Sequence, residues 1–247
     1  MNQLFFSFLK IFFRNKRALF FVIFLPAIIM VIVPFFGLGG LLRFSEGHSY
    51  VDFLLPGLVA FALMQMGIYT ATYSLIDYRK TQILKRISVT PFTASQFMVA
   101  QIAARFVLGL IQACVLLLVG IVIFRVQIAW QILYLPFLIF FGNFIFLNFG
   151  FLIASTARDY EEAAPYTTIV GLGLTFLGNV FFPASLLPPV LAKLSIFFPL
   201  APFSSLLRFS ILGQKTSNAP EDFVILLLWL IVTSFLARVV FEKKAYK

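Results

Sequence analysis

This chain reads as an all-α membrane protein. The expected architecture is six transmembrane helices, an N-terminal interfacial helix, a short cytoplasmic helix after the second crossing and re-entrant outer segments between helices five and six. Three observations carry that reading. Of 247 residues, 62% are hydrophobic and 11% charged, well above the apolar share of a soluble domain. Apolar runs suited to a bilayer core about 30 Å thick, which takes about 20 residues per helical crossing, recur six times between short charged loops. Lys and Arg are divided unevenly between alternate loops, as cytoplasmic retention of positive charge requires.

Taken in order, residues 1–17 form the interfacial helix. Leu4, Phe5, Phe8, Leu9, Phe12 and Phe13 repeat at helical spacing, and Lys10, Arg14 and Lys16 supply a basic edge, the pattern of a helix lying at the acyl boundary. The six-helix bundle follows over residues 18–241, with crossings expected at 18–36, 53–76, 97–124, 131–156, 166–182 and 223–241, and a cytoplasmic tail at 242–247. A signal peptide is the rival reading of the first run, but the run is long for one and no clean cleavage site follows. Pro26 and Pro34 inside it are tolerable where neighbours satisfy the freed carbonyls. With the N-terminus placed in the cytoplasm, 14 of the 19 Lys and Arg fall on the cytoplasmic side. Both termini are therefore expected there.

Two segments depart from plain crossings. Between crossings two and three, Ile83, Leu84 and Ile87 share one side of a short helix while Lys80, Lys85 and Arg86 take the wetter side, and Pro91 ends it. Such a helix either rests on anionic headgroups or docks a soluble partner. Between crossings five and six, residues 182–213 hold Pro183, Pro188, Pro189, Pro199 and Pro202 among apolar residues. Residues 190–198 are too short to span a bilayer at about 1.5 Å per residue. They read as helices that dip into the outer leaflet and return.

Composition excludes several functions. No soluble stretch is long enough to bury a core of its own, which argues against a catalytic head domain. The formal charge of +10 sits at helix ends rather than on one face, so no nucleic-acid partner is expected; the surrounding partner is membrane lipid. Cys114 is the single cysteine and His48 the single histidine, which leaves no internal disulfide and no expected metal site. An intramembrane enzyme would need nucleophiles, carboxylates or metal ligands at one depth, and none are clustered. A secondary transporter or channel would show midplane ionisable groups or two inverted halves, and neither stands out.

Three stretches together resemble the permease subunits of ABC-2-type transporters. They are residues 50–58 (YVDFLLPGL), residues 84–91 (LKRISVTP), and residues 181–188 (FFPASLLP) followed by 198–202 (FPLAP). Their order and spacing match that family over essentially the whole chain, which would make residues 1–247 a single ABC-2-type transmembrane domain. The resemblance implies that the loop helix is a coupling helix seated in a cleft of a separate ATP-binding subunit. Arg79, Lys80, Gln82, Ile83, Leu84, Lys85 and Arg86 would form that docking segment. Relatives often carry Glu, Gly and Thr where this chain has Asp77, Gln82 and Ile83; Gln in place of Gly predicts a more regular helix there.

No G-x-x-x-x-G-K-[ST] run occurs in the sequence. The chain is therefore not expected to be an enzyme or to bind a cofactor itself; ATP and Mg belong on the partner ATPase, in two copies. The family implies a second permease, with a homodimer as the first expectation and the substrate path between the two. Polar residues within crossings usually face protein or cavity. Gln65, Gln112, Asn143, Asn148 and Asn179 are the candidate path residues, beside Thr70, Gln101, Arg105 and Thr175; interhelical hydrogen bonding is the competing role for each. Arg105 is expected to snorkel toward the cytoplasmic interface. The abundance of Phe, 34 residues, and the lack of a charged ring suit a hydrophobic or amphiphilic cargo better than an ion. A lipid-linked polysaccharide is the alternative cargo.

Overall fold

The computed structural model describes residues 2–34, 49–83, 94–214 and 218–244. Helix α1 (Asn2–Arg14) ends at Asn15, and α2 (Lys16–Val33) starts directly after it. Asn15 interrupts the helix between them, with its amide still bonded to the Ile11 and Phe12 carbonyls. Phe8, Leu9 and Phe12 of α1 pack toward the bundle, and Phe8 lies 6.1 Å from Tyr78 and 5.4 Å from Phe97, ring to ring. Phe6, Ile11 and Phe13 remain exposed. The apolar stripe is thus wider than the sequence suggests and divides between protein and surroundings.

A single long helical run spans Tyr50–Lys80. It consists of α3 (Tyr50–Gln65), a π-turn at Met66–Thr70 and α4 (Ala71–Lys80). Ser49 starts it with a capping box: its hydroxyl accepts from the Val51 amide while the Asp52 carboxylate accepts from the Ser49 amide at 2.8 Å. The start at residue 50 rather than 53 follows from that cap. Helix α5 covers Ala94–Phe124. Helix α6 (Leu135–Thr156) follows a 3₁₀ turn at Trp130–Tyr134. Helix α7 (Tyr160–Leu177) starts six residues and ends five residues earlier than expected, and the Asp159 carboxylate, which accepts from the Glu162 amide, caps its start. Short α8 (Pro189–Ser195) and α9 (Leu200–Leu212) follow, and α10 (Ala219–Lys244) closes the chain.

Among the described residues, four helices are long and apolar enough to cross a membrane: Tyr50–Lys80, Val99–Phe124, Trp130–Thr156 and Ala219–Val240. Helices α8 and α9, bent by 72° at their break, make a fifth if taken as one span. Two expected crossings fall outside this set for local reasons. Helix α2 has a described apolar stretch of Phe20–Val33, short for a span, and residues 35–48 lie outside the described residues. Helix α7 carries Glu161 and Glu162 in its first turn and several threonines after them.

The main core gathers Leu54, Leu55, Leu58, Leu63 and Met66 of the long run against Ile139, Phe146, Phe203 and Leu207. The run Tyr50–Lys80 is therefore central, with α2, α5, α6 and α9 around it. Helix α10 packs on α6 and α9, and leaves Val224, Leu228, Ile231 and Phe235 exposed on one side, as a lipid-facing helix does.

Candidate functional site

The long run is held at three levels, and those levels collect most of the polar chemistry. At the Lys80 end, the Arg79 guanidinium donates to the Ala154 carbonyl and, at 2.8 Å, to the Ala157 carbonyl. Ala154 is in the last turn of α6, whose carbonyls lack intrahelical donors, and a cation there also meets the negative end of the helix dipole. Arg79 thereby caps α6. The Tyr160 hydroxyl donates to Asp77 Oδ1 at 3.2 Å, and Lys80 Nζ sits 4.3 Å from the centre of the Tyr160 ring. These contacts tie the end of α4 to the start of α7.

Beyond Lys80 the helix does not run on. Thr81 caps it, with its amide and hydroxyl both on the Asp77 carbonyl at 2.8 and 2.7 Å. Gln82 takes a left-handed conformation, φ 57°. The regular helix expected through Gln82 is corrected here: this is the conformation that a glycine would adopt without strain. Lys80 and Gln82 are exposed, and Ile83 is partly buried against the core cluster that includes Leu75, Tyr78 and Phe97. Leu84, Lys85 and Arg86 lie outside the described residues.

The middle level is the π-turn. A π-turn leaves backbone groups out of register with the helix ladder, and Arg105 of α5 meets them. Its guanidinium donates to the Thr70 carbonyl at 3.2 Å, Thr70 Oγ1 at 3.3 Å, Ser74 Oγ at 3.4 Å and Gln101 Oε1. Arg105 is only 5% exposed. The snorkelling expectation is corrected: the side chain turns inward and pins the π-turn.

The third level, at the Tyr50 end, joins the first and third of the family-like stretches. Helix α7 stops at Gly178, and Asn179 turns left-handed at φ 52°. The following backbone is met by α3 and α9. Ser204 Oγ donates to the Gly178 carbonyl at 2.9 Å, and Arg208 donates to the Asn179 carbonyl. The Tyr50 hydroxyl donates to the Phe181 carbonyl at 3.1 Å. A Cβ on Gly57 would stand 2.6 Å from the Val180 carbonyl oxygen, so glycine alone permits this approach. The Arg208 guanidinium lies 4.0 Å from the centre of the Phe53 ring, within cation–π range. Beside this level is a cleft of about 390 Å³ lined by Ser49, Asp52, Phe124, Arg125 and Gln127, among others.

None of the candidate path residues lines that cleft, and Gln112, Asn143 and Asn148 bond across three different helix seams. Gln112 of α5 donates to the Val22 carbonyl of α2, four residues before Pro26, the carbonyl that proline leaves without a donor. Asn143 of α6 donates to the Arg105 carbonyl at 3.4 Å, and Asn148 donates to Ser234 at 3.0 Å and Thr233 at 3.4 Å on α10. Gln65 is half-buried at the end of α3. Asn179 contributes its backbone carbonyl to the Arg208 bond. Thr175 bonds back to the Gly171 carbonyl. The amide oxygens of Gln112, Asn143, Asn148 and Asn179 have no partner among the described residues. Tyr50, Gly57, Tyr160, Ser204 and Arg208 are the site residues that sequence reasoning missed. Their signal was present only as a tyrosine, an arginine and small residues inside apolar stretches. No group of three or more His, Cys, Asp or Glu suited to a metal occurs among the described residues.

Comparison with known proteins places this geometry. The family model described as ABC-2 family transporter protein matches residues 40–239. Nodulation protein J of Rhizobium leguminosarum bv. viciae is 24% identical over 201 residues, 79% of this chain and 76% of the relative. The inner membrane transport permease YadH of Escherichia coli K12 is 22% identical over 211 residues, 83% of this chain and 82% of the relative. The matched region runs from before the Tyr50 cap into α10, and includes all three levels at which the long helix is held. The chain belongs to the ABC-2 transporter family: it is a multi-pass transmembrane subunit of an ABC transporter, paired with an ABC ATP-binding subunit.

Proposed function

We propose that the chain is one of two permeases in an ATP-driven exporter, moving a hydrophobic or amphiphilic, drug-like or lipid-like compound out of the cell through a path between the permeases. The single observation that supports this best is the continuous run Tyr50–Lys80, tied by side chains at both ends and at its centre. A strut of that kind suits the transfer of displacement across a membrane. Six crossings, with α2 and α7 as the first and fifth, put both termini in the cytoplasm, with α1 at the interface and α8–α9 as an outer re-entrant pair. This orientation agrees with the Lys and Arg distribution. Residues 79–86 then face the cytosol as the coupling segment, two ATP-binding subunits supply ATP and Mg, and the pair of permeases is a homodimer. The relative named an inner membrane transport permease supports an inner-membrane location.

The test is purification of the chain from its native host. A co-purifying ATPase is expected, whose turnover supports uptake of a fluorescent amphiphile into inverted vesicles. Disruption of residues 84–86 is expected to cut that uptake while leaving the fold intact. Transport driven by an ion gradient without ATP, or coupling unchanged by the disruption, overturns the reading. Stimulation by lipid-linked polysaccharide but not by amphiphiles transfers the cargo assignment to the glycan.

A further inference from the structure

Of the four carbonyls from Gly178 to Phe181, three accept side-chain hydrogen bonds, from two different helices. Non-helical backbone at membrane depth needs protein partners for its polar groups, and here the Gly178, Asn179 and Phe181 carbonyls each have a different one. Ser204 and Arg208 of α9 take the first two, at 2.9 Å for Ser204. Tyr50 of α3 takes the Phe181 carbonyl by a 3.1 Å hydrogen bond, and the bare backbone of Gly57 lets α3 lie close against Val180. The segment leads out of α7 toward α8 and is the seam where α3, α7 and α9 meet. Arg208 is 9% exposed, and among the described residues its guanidinium is held by neutral groups: a carbonyl, a hydroxyl and the Phe53 ring. A guanidinium held by neutral groups is more easily released than one in an ion pair.

We infer that residues 178–181 are an outer latch, closed in this structure, whose carbonyls must leave Tyr50 and Arg208 for the outer half of the permease to open. The inference rests on the orientation and the ATP-driven reading proposed above. It goes beyond them by naming the bonds that hold the closed state and the residues that set its population. Tyr50 and Arg208 are positioning residues: they touch the segment that moves and need not touch cargo. The load falls on hydrogen bonds, whose loss shifts an equilibrium between two packed arrangements without removing the core.

The experiment uses the full chain with its ATP-binding subunit in lipid nanodiscs, in a Cys114→Ala background. Spin labels are placed at Phe182, exposed on the turn, and at Gln127, exposed on the link whose Ala129 amide bonds the Ile211 carbonyl of α9. Without nucleotide, the unsubstituted latch is expected to give one dominant distance. Tyr50→Phe keeps the ring and removes the hydroxyl; the ratio of the second, open distance to the closed one is expected to rise about threefold, the value of an average interhelical hydrogen bond in a membrane. Combined with Arg208→Gln the rise is expected to reach about eightfold. Thermal melting of each variant checks that the fold survives. A distance distribution identical to that of the unsubstituted chain in both variants overturns the latch. If instead the variants shift but ATP turnover never populates the open distance in the unsubstituted chain, the latch stands and the ATP-driven reading fails.

Discussion

A guanidinium inside a membrane protein is stable only where acceptors surround it, and Arg105 has four within reach. Arg105→Leu leaves the Thr70 carbonyl and the Gln101 amide oxygen without that donor. The expected cost is about 1–3 kcal/mol, read as a lower melting midpoint of the purified full chain, with partial recovery in Arg105→Lys. An unchanged midpoint contradicts the pinned π-turn. Gln82 gives the opposite sign. An L side chain at φ 57° carries a penalty of roughly 1–2 kcal/mol that glycine avoids, so Gln82→Gly is expected to raise the midpoint. Neither feature was legible beforehand. The sequence shows where Arg105 stands along its helix but not which side it faces, because α5 is apolar nearly all round. Gln82 follows a helical pattern, and nothing in glutamine signals a left-handed turn.

Among the elements, the run Tyr50–Lys80 is the one whose neighbours matter most. Its two cationic end residues have separate tasks. Arg79 is half-buried and bonded to α6, whereas Lys80 is exposed over the Tyr160 ring. Arg79→Ala is therefore expected to lower thermal stability by about 1–2 kcal/mol, since a capped carbonyl pair loses its donor. Lys80→Ala should change the midpoint by less than about 0.5 kcal/mol while reducing ATPase-coupled transport. Equal effects of the two on stability would contradict this division. At the other end, Gly57→Ala drives a methyl against the Val180 backbone, 2.6 Å from its carbonyl oxygen. Backbone cannot swing aside as a side chain does, and a cost of about 1–3 kcal/mol is expected, again measured by melting. The existence of these helices was legible from their apolar runs. Their ends were less so: the Ser49 and Asp159 caps extend α3 and α7 beyond the apolar residues, and a hydropathy run has no means of showing that.

For the whole molecule, the apolar composition and the three motif stretches carried the class, and the family match over residues 40–239 agrees. The pairings between distant parts were not readable. Nothing in residues 50–58 states that Tyr50 will reach Phe181, 131 positions away. The polar residues inside crossings were recognised as important for the right physical reason, their cost in lipid. Most of them, however, bond across helix seams: Gln112 to the carbonyl freed by Pro26, Asn148 to Ser234. The central claim is that the end of the long helix faces the cytosol and is engaged there by the ATP-binding subunit. Its most direct test is Ile83→Cys in a Cys114→Ala background, probed with a membrane-impermeant maleimide in sealed vesicles of either orientation. The account predicts labelling only from the cytoplasmic face, and protection when the ATP-binding subunit is bound. Labelling from the outer face, or labelling that the bound subunit does not reduce, would contradict it.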